Sequence, residues 1–166
     1  DHLATARHAA MTFGRMGHRR VAVMVRDSHL AGDQMTVEGF LAGAAAYPGG
    51  SLKVDAFVHD GTPVGTIRAM DRLMKVRPRP TGIFSAGGLQ TVAIMTRLFE
   101  LGIRVPLEMS IISRDDDPAL DFVIPPPARY SRPSEDFARS AFRQVVIHTT
   151  VHHSFQPCNQ TKPAIS

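Results

Sequence analysis

Four short apolar runs, residues 21–25, 52–58, 81–85 and 109–112, alternate along the chain with segments of helical period. This alternation constrains the fold more than any other feature. Strands separated by helices of roughly 12–15 residues fit right-handed crossovers and a mainly parallel sheet with helices on both faces, an α/β architecture. The run Val21-Ala22-Val23-Met24-Val25 is apolar throughout and bounded by charge, as expected of a strand covered on both faces. Residues 52–58 open on Leu52, Lys53, Val54 and Asp55, an alternation that leaves one face wet and places this strand near the edge.

The helices carry their own signals. Asp1 caps a helix ending at Met16 with Ala6, Ala9, Ala10 and Phe13 inward, and Gly17 is its left-handed stop. Asp33 caps the second, with Val37, Phe40, Leu41 and Ala44 inward. Thr62 caps the third and Pro63 takes its first position, with Val64, Ile67, Met70 and Met74 inward. The fourth, residues 89–101, has an apolar arc wider than one sheet contact needs, which points to a second subunit. Residues 118–122 read as one helical turn, Pro125-Pro126-Pro127 as an extended crossing, 128–131 as a fifth strand, and Ser134 as the cap of a last helix. Residues 151–166 read as an irregular tail, whose His152, His153 and Cys158 match no zinc spacing.

A chain of 166 residues suits one ordinary core. The net charge of +4 rests on sixteen scattered arginines and three lysines, a solvated surface and not a nucleic-acid face. One cysteine excludes an internal disulfide and fits a reducing compartment. No apolar run approaches the roughly 18 residues a membrane span requires, so the expectation is a soluble, cytoplasmic protein.

In an open parallel sheet the ligand site lies outside the carboxyl ends of the strands. The loops there hold Asp27, Asp60 and Asp115. Three such aspartates suggest magnesium-dependent phosphoryl transfer, but none of the three lysines lies at a strand's carboxyl end. Ala86-Gly87-Gly88 lacks phosphate-loop spacing, and no nucleophile elbow is present. The expectation is therefore no catalytic residue, no metal and no cofactor. A binding cleft with a fixed carboxylate remains, suited to sugars, nucleosides or cationic ligands. Like charges raise each other's pKa, so at most one of Asp115, Asp116 and Asp117 points into it.

Met16-Gly17-His18-Arg19-Arg20-Val21-Ala22, Glu38-Gly39-Phe40, Pro80-Thr81-Gly82-Ile83-Phe84, Leu101-Gly102-Ile103-Arg104-Val105-Pro106 and Ser110-Ile111-Ile112 before Asp115-Asp116 carry a family likeness. Over about residues 1–149 the chain resembles the effector-binding domain of LacI/GalR-type bacterial transcriptional regulators. The resemblance implies a periplasmic-binding-protein-like fold of two lobes, with an effector between them and homodimerisation through both. Residues 1–124 would form the C-terminal lobe, 125–150 a crossover strand and helix of the N-terminal lobe, and 151–166 the tail. The helix-turn-helix that binds DNA would lie outside this chain, and the helix from Ser134 would lack its usual sheet. A periplasmic sugar-binding protein of a transporter shares the fold and is the alternative; a magnesium-dependent phosphotransferase is the more distant one.

The resemblance also places the pocket. Asp115 stands where the family keeps an effector-binding aspartate, Thr36 where an arginine is usual, Gly61 where an aromatic is frequent and Gly87 where asparagine is usual. Ser113-Arg114 replace glycine and an aromatic. Effector contacts are thus expected at Asp115, Arg114, Thr36, Gly61 and Gly87, and dimer contacts at Leu89, Val92, Ala93, Pro118, Leu120 and Phe122. The effector would be a sugar, a nucleoside or an acidic metabolite. Arg114 beside Asp115 leaves two outcomes, a pair that fills the site or a cation that receives an acid, and an untypical effector is preferred to none.

Overall fold

The computed structural model describes residues 1–131. The helix expected from Ser134 and the tail from residue 151 lie outside the described residues.

Alternation of strand and helix runs through the described chain: α1 (His2–Arg15), β1 (Arg20–Arg26), α2 (Ala31–Ala45), β2 (Lys53–His59), α3 (Pro63–Lys75), β3 (Gly82–Ser85), α4 (Gly88–Glu100) and β4 (Ser110–Ser113). A 3-10 turn over Pro118–Phe122 and β5 (Ala128–Arg129) follow. All strand pairs are parallel, in the order β2-β1-β3-β4-β5. The strand order reverses direction at β1 and β3, so the crevice outside their carboxyl ends is the natural ligand position of this topology.

β1 shows how the two layers arise. Successive side chains of a strand point to opposite faces, so Val21, Val23 and Val25 pack with Phe13, Phe40 and Phe84 on the α1/α2 face. Ala22 and Met24 pack with Met70, Leu73, Ile94 and Leu98 on the α3/α4 face. Phe40 and Phe84 stack at 5.3 Å between ring centroids. β2 is the expected edge strand and its residues are mostly half-exposed or exposed.

Asp1 caps α1 by accepting from the Ala4 amide at 3.1 Å, and Ala6, Ala9, Ala10 and Phe13 are fully buried. Gly17 follows at φ 89°, the left-handed stop. α2 departs from expectation. It begins two residues before Asp33, capped by Leu30 without a side-chain bond, and Leu41 is 47% exposed. Its buried positions are Thr36, Gly39, Phe40, Gly43 and Ala44, because the helix lies against the backbone of α1. A Cβ on Gly39 would stand 2.3 Å from the Leu3 carbonyl oxygen, and one on Gly43 2.4 Å from that of Arg7.

α3 is rotated in the same sense. Thr62 accepts from the Gly65 amide at 2.9 Å as the expected cap, but the buried residues are Gly65, Thr66, Ala69, Met70 and Leu73, and Val64 is exposed. The expected fifth strand is present at residues 128–129 and pairs with β4 in this sheet, Ala128 beside Ile112 and Arg129 beside Ser113.

Candidate functional site

The carboxyl end of β4 is tied to the start of α2 by one guanidinium. Arg114 Nη1 stands 2.8 Å from Thr36 Oγ1, 3.2 Å from Asp33 Oδ1 and 3.4 Å from the Gly32 carbonyl oxygen. Its Nε is 3.2 Å from Asp115 Oδ1 and its Nη2 is 3.4 Å from Asp115 Oδ2. The side chains of Arg114 and Asp33 are only 11% and 13% exposed, that of Asp115 31%. β1 and β4 are not neighbours, so this tie bridges the exit of β3 at the switch point.

Hydroxyls line the floor beneath it. Thr91 Oγ1, in the first turn of α4, donates to the Gly87 carbonyl oxygen at 2.7 Å and lies 3.1 Å from Ser113 Oγ, which donates to the Asp115 carbonyl oxygen at 2.8 Å. Ser28 donates to Asp33 Oδ2 at 2.7 Å. Both oxygens of Asp33 are thus engaged.

A second tie joins the loops after β2 and β3. Gln90 Nε2 donates to the Gly61 carbonyl oxygen at 3.0 Å, and a Cβ at Gly87 would meet Gln90 Oε1 at 2.1 Å. Gly61 sits at φ 87°, where a side chain is strained and would also collide with Arg26 Nε. The buried His59 accepts from the Gly61 amide on Nδ1 at 3.0 Å, which leaves the proton of the neutral ring on Nε2. Burial first, then the Arg26 charge, hold the His59 pKa down, against the opposing pull of Asp60 and Asp33.

Of the five positions expected around an effector, Arg114, Asp115 and Thr36 are therefore in direct contact. Gly87 reaches them through Thr91 and Ser113, whereas Gly61 joins through Gln90. Asp60 serves its own turn, accepting from the Thr62 amide and hydroxyl. Asp117 caps the 3-10 turn at the Ala119 amide, and Asp116 pairs with Arg129. Asp33 was read from the sequence as a helix cap alone, and Gln90 was not assigned to the site. Asp33 lies three residues before Thr36, hence on the same helix face, and that spacing was the available signal.

The other surface of note is apolar. A groove of about 680 Å³ is lined by Met95, Phe99, Val105, Leu107, Phe122 and Ile124, among others. Phe99, Leu107, Phe122 and Ile124 are each more than three-quarters exposed. Leu89 is exposed too, Val92 and Ala93 are half-buried, and Pro118 is exposed. Leu120, expected in this surface, is instead fully buried in its own chain because the 3-10 turn folds it inward.

A family model of the periplasmic binding protein-like domain matches residues 10–163. The chain belongs to that family. It is 24% identical over 154 residues to the HTH-type transcriptional regulator CelR of Thermobifida fusca, covering 90% of this chain and 44% of that protein. It is 26% identical over 165 residues to the regulator GalS of Salmonella typhimurium, covering 95% and 48%. Among solved structures, a LacI family regulator from Bifidobacterium animalis superposes with a TM-score of 0.72 at 25% identity, covering 80% of this chain and 48% of that one. A LacI family regulator from Enterococcus faecium with bound ribose shares the fold, with a TM-score of 0.80 at 16% identity over 93% and 57% of the two chains. The chain thus spans about half the length of these relatives and corresponds to the effector-binding part of LacI-type regulators.

Proposed function

We propose that this chain senses a small molecule for a cytoplasmic transcriptional regulator whose DNA-binding helix-turn-helix lies outside it, and that it performs no catalysis. The observation that carries the reading is the meeting of Arg114 and Asp115 with Asp33 and Thr36 over the β1/β3 switch point, where an open parallel sheet takes its ligand. A second lobe would close over this edge, and contacts made by the effector to both lobes would shift the closed population. The groove beside α4 supports a homodimer, since exposed apolar side chains this numerous and contiguous mark an interaction surface. Two copies would bring lobe closure and DNA-binding geometry under one symmetry.

Ribose, further sugars and nucleosides titrated into the full-length protein test the proposal, read by thermal shift and by affinity for DNA fragments selected by that protein. The expected result is one compound that raises the melting temperature and changes DNA affinity. Silence across the panel in both measurements counts against effector sensing.

A further inference from the structure

We propose that Arg114 is a positioning residue that holds Asp115 across its own bidentate edge, so that the site refuses anions and takes its ligand through hydroxyl or amine donors. The inference rests on the effector-site reading and narrows its ligand class.

A guanidinium binds a carboxylate or phosphate best along the edge formed by Nε–H and one Nη–H, where two parallel donors match two oxygens. In Arg114 that edge, formed by Nε and Nη2, is covered by Asp115, at 3.2 Å to Oδ1 and 3.4 Å to Oδ2. The remaining corner, Nη1, is packed against Thr36, Asp33 and Gly32. The side chain is only 11% exposed, so little of the guanidinium is presented to solvent. An incoming anion would have to displace Asp115 and would face two carboxylates on one guanidinium.

A donor meets the opposite situation. Ionised Asp115 is acceptor-only, it is the most exposed member of the cluster, and Arg114 fixes its plane. Asp33, with Arg114 on one oxygen and Ser28 on the other, serves the tie. Arg114 therefore acts on the ligand through Asp115. The acidic metabolite is excluded, and neutral polyols and amines remain as two sources of the same donor chemistry.

The test uses the full chain with sodium malonate and inorganic phosphate as anion probes, and ribose and spermidine as donor probes, measured by calorimetry and thermal shift. Wild type is expected to ignore both anions. Asp115→Asn removes the carboxylate at constant shape and frees the edge, so malonate affinity should rise by about tenfold or more. Asp33→Asn removes the same formal charge while leaving the edge covered, and should gain nothing comparable. Adding Arg114→Met to Asp115→Asn should abolish the gain. If Asp115→Asn fails to fold, Asp115→Ala carries the same expectation.

Malonate binding by wild type as tight as by Asp115→Asn overturns the proposal, and so does an equal gain in Asp33→Asn. Ribose against spermidine tells a neutral from a cationic ligand. Silence of wild type to both, with malonate behaving as stated, would sink the effector reading and leave the charge selection standing.

Discussion

Replacing Phe122 by alanine separates the surface from the core more cleanly than any other single change. Phe122 is 87% exposed, and Ile124 and Phe99 beside the same groove are 89% and 83% exposed. Burying such a ring from near-full exposure contributes about 1.5–3 kcal/mol. A two-fold interface contains the residue twice, so the substitution should weaken the dimer by about 3–6 kcal/mol, or on the order of a hundred- to ten-thousandfold in dissociation constant. Sedimentation velocity over a concentration series of the full chain reads this directly. The folded monomer should be indifferent, since the ring touches little of its own core. Leu120→Ala, two residues earlier and fully buried, should do the reverse: about 2–5 kcal/mol of stability lost in urea unfolding. A Phe122→Ala protein with an unchanged dissociation constant would refute the assignment of this groove to the dimer.

Gly39→Ala tests the contact between α1 and α2. The new methyl would stand 2.3 Å from the Leu3 carbonyl oxygen and 2.9 Å from its Cα, a backbone that yields only if the helices separate. Overpacking costs about 1–3 kcal/mol, partly offset by the roughly 1 kcal/mol gained in helix propensity, so the urea midpoint should fall modestly. A midpoint raised by the substitution would show that the helices are not in this contact. Asp55 tests the sheet edge. Arg20 donates from Nη2 to Oδ1 at 2.7 Å, and that bond chiefly holds the Asp55 carboxyl below the usual carboxylate range. The stabilisation is therefore full above the unfolded carboxyl pKa and lost as pH falls through the lower folded one. Asp55→Asn should cost about 1 kcal/mol at neutral pH, a gap that closes toward strongly acidic pH in parallel urea titrations. A gap independent of pH would refute the pairing.

Much of this fold is legible because its signals are local. Asp1, Thr62 and Pro63 mark helix starts by chemistry confined to one turn, and Val21 to Val25 mark a strand buried on both faces whatever lies around it. On α2 and α3 the expected Phe40, Ala44 and Met70 are buried, and only Leu41 and Val64 turn outward. Hydrophobic period ranks Leu41 above Gly39 and Gly43, but α2 meets the backbone of α1 at those glycines, and close approach there selects for smallness. The fifth strand was legible as a strand after three prolines, but its partner was not, because the ladder it joins, Ile112 to Ala128, is visible only once β4 is in place.

The candidate site was legible as positions and not as a circuit. Thr36 and Arg114 each looked like a separate loss, of an arginine on one loop and of an aromatic on another. Seventy-eight residues apart, they meet at 2.8 Å. A residue longer than threonine at position 36 would occupy the space in which Nη1 of Arg114 rests, and an aromatic at 114 would leave Asp33 and Thr36 without this cation. The departures are therefore one change with two ends: the cation sits at the mouth of α2 as the resemblance implies, but it is delivered from β4. Delivered from there, it lies next to Asp115 in the chain and meets that carboxylate at 3.2 Å through Nε.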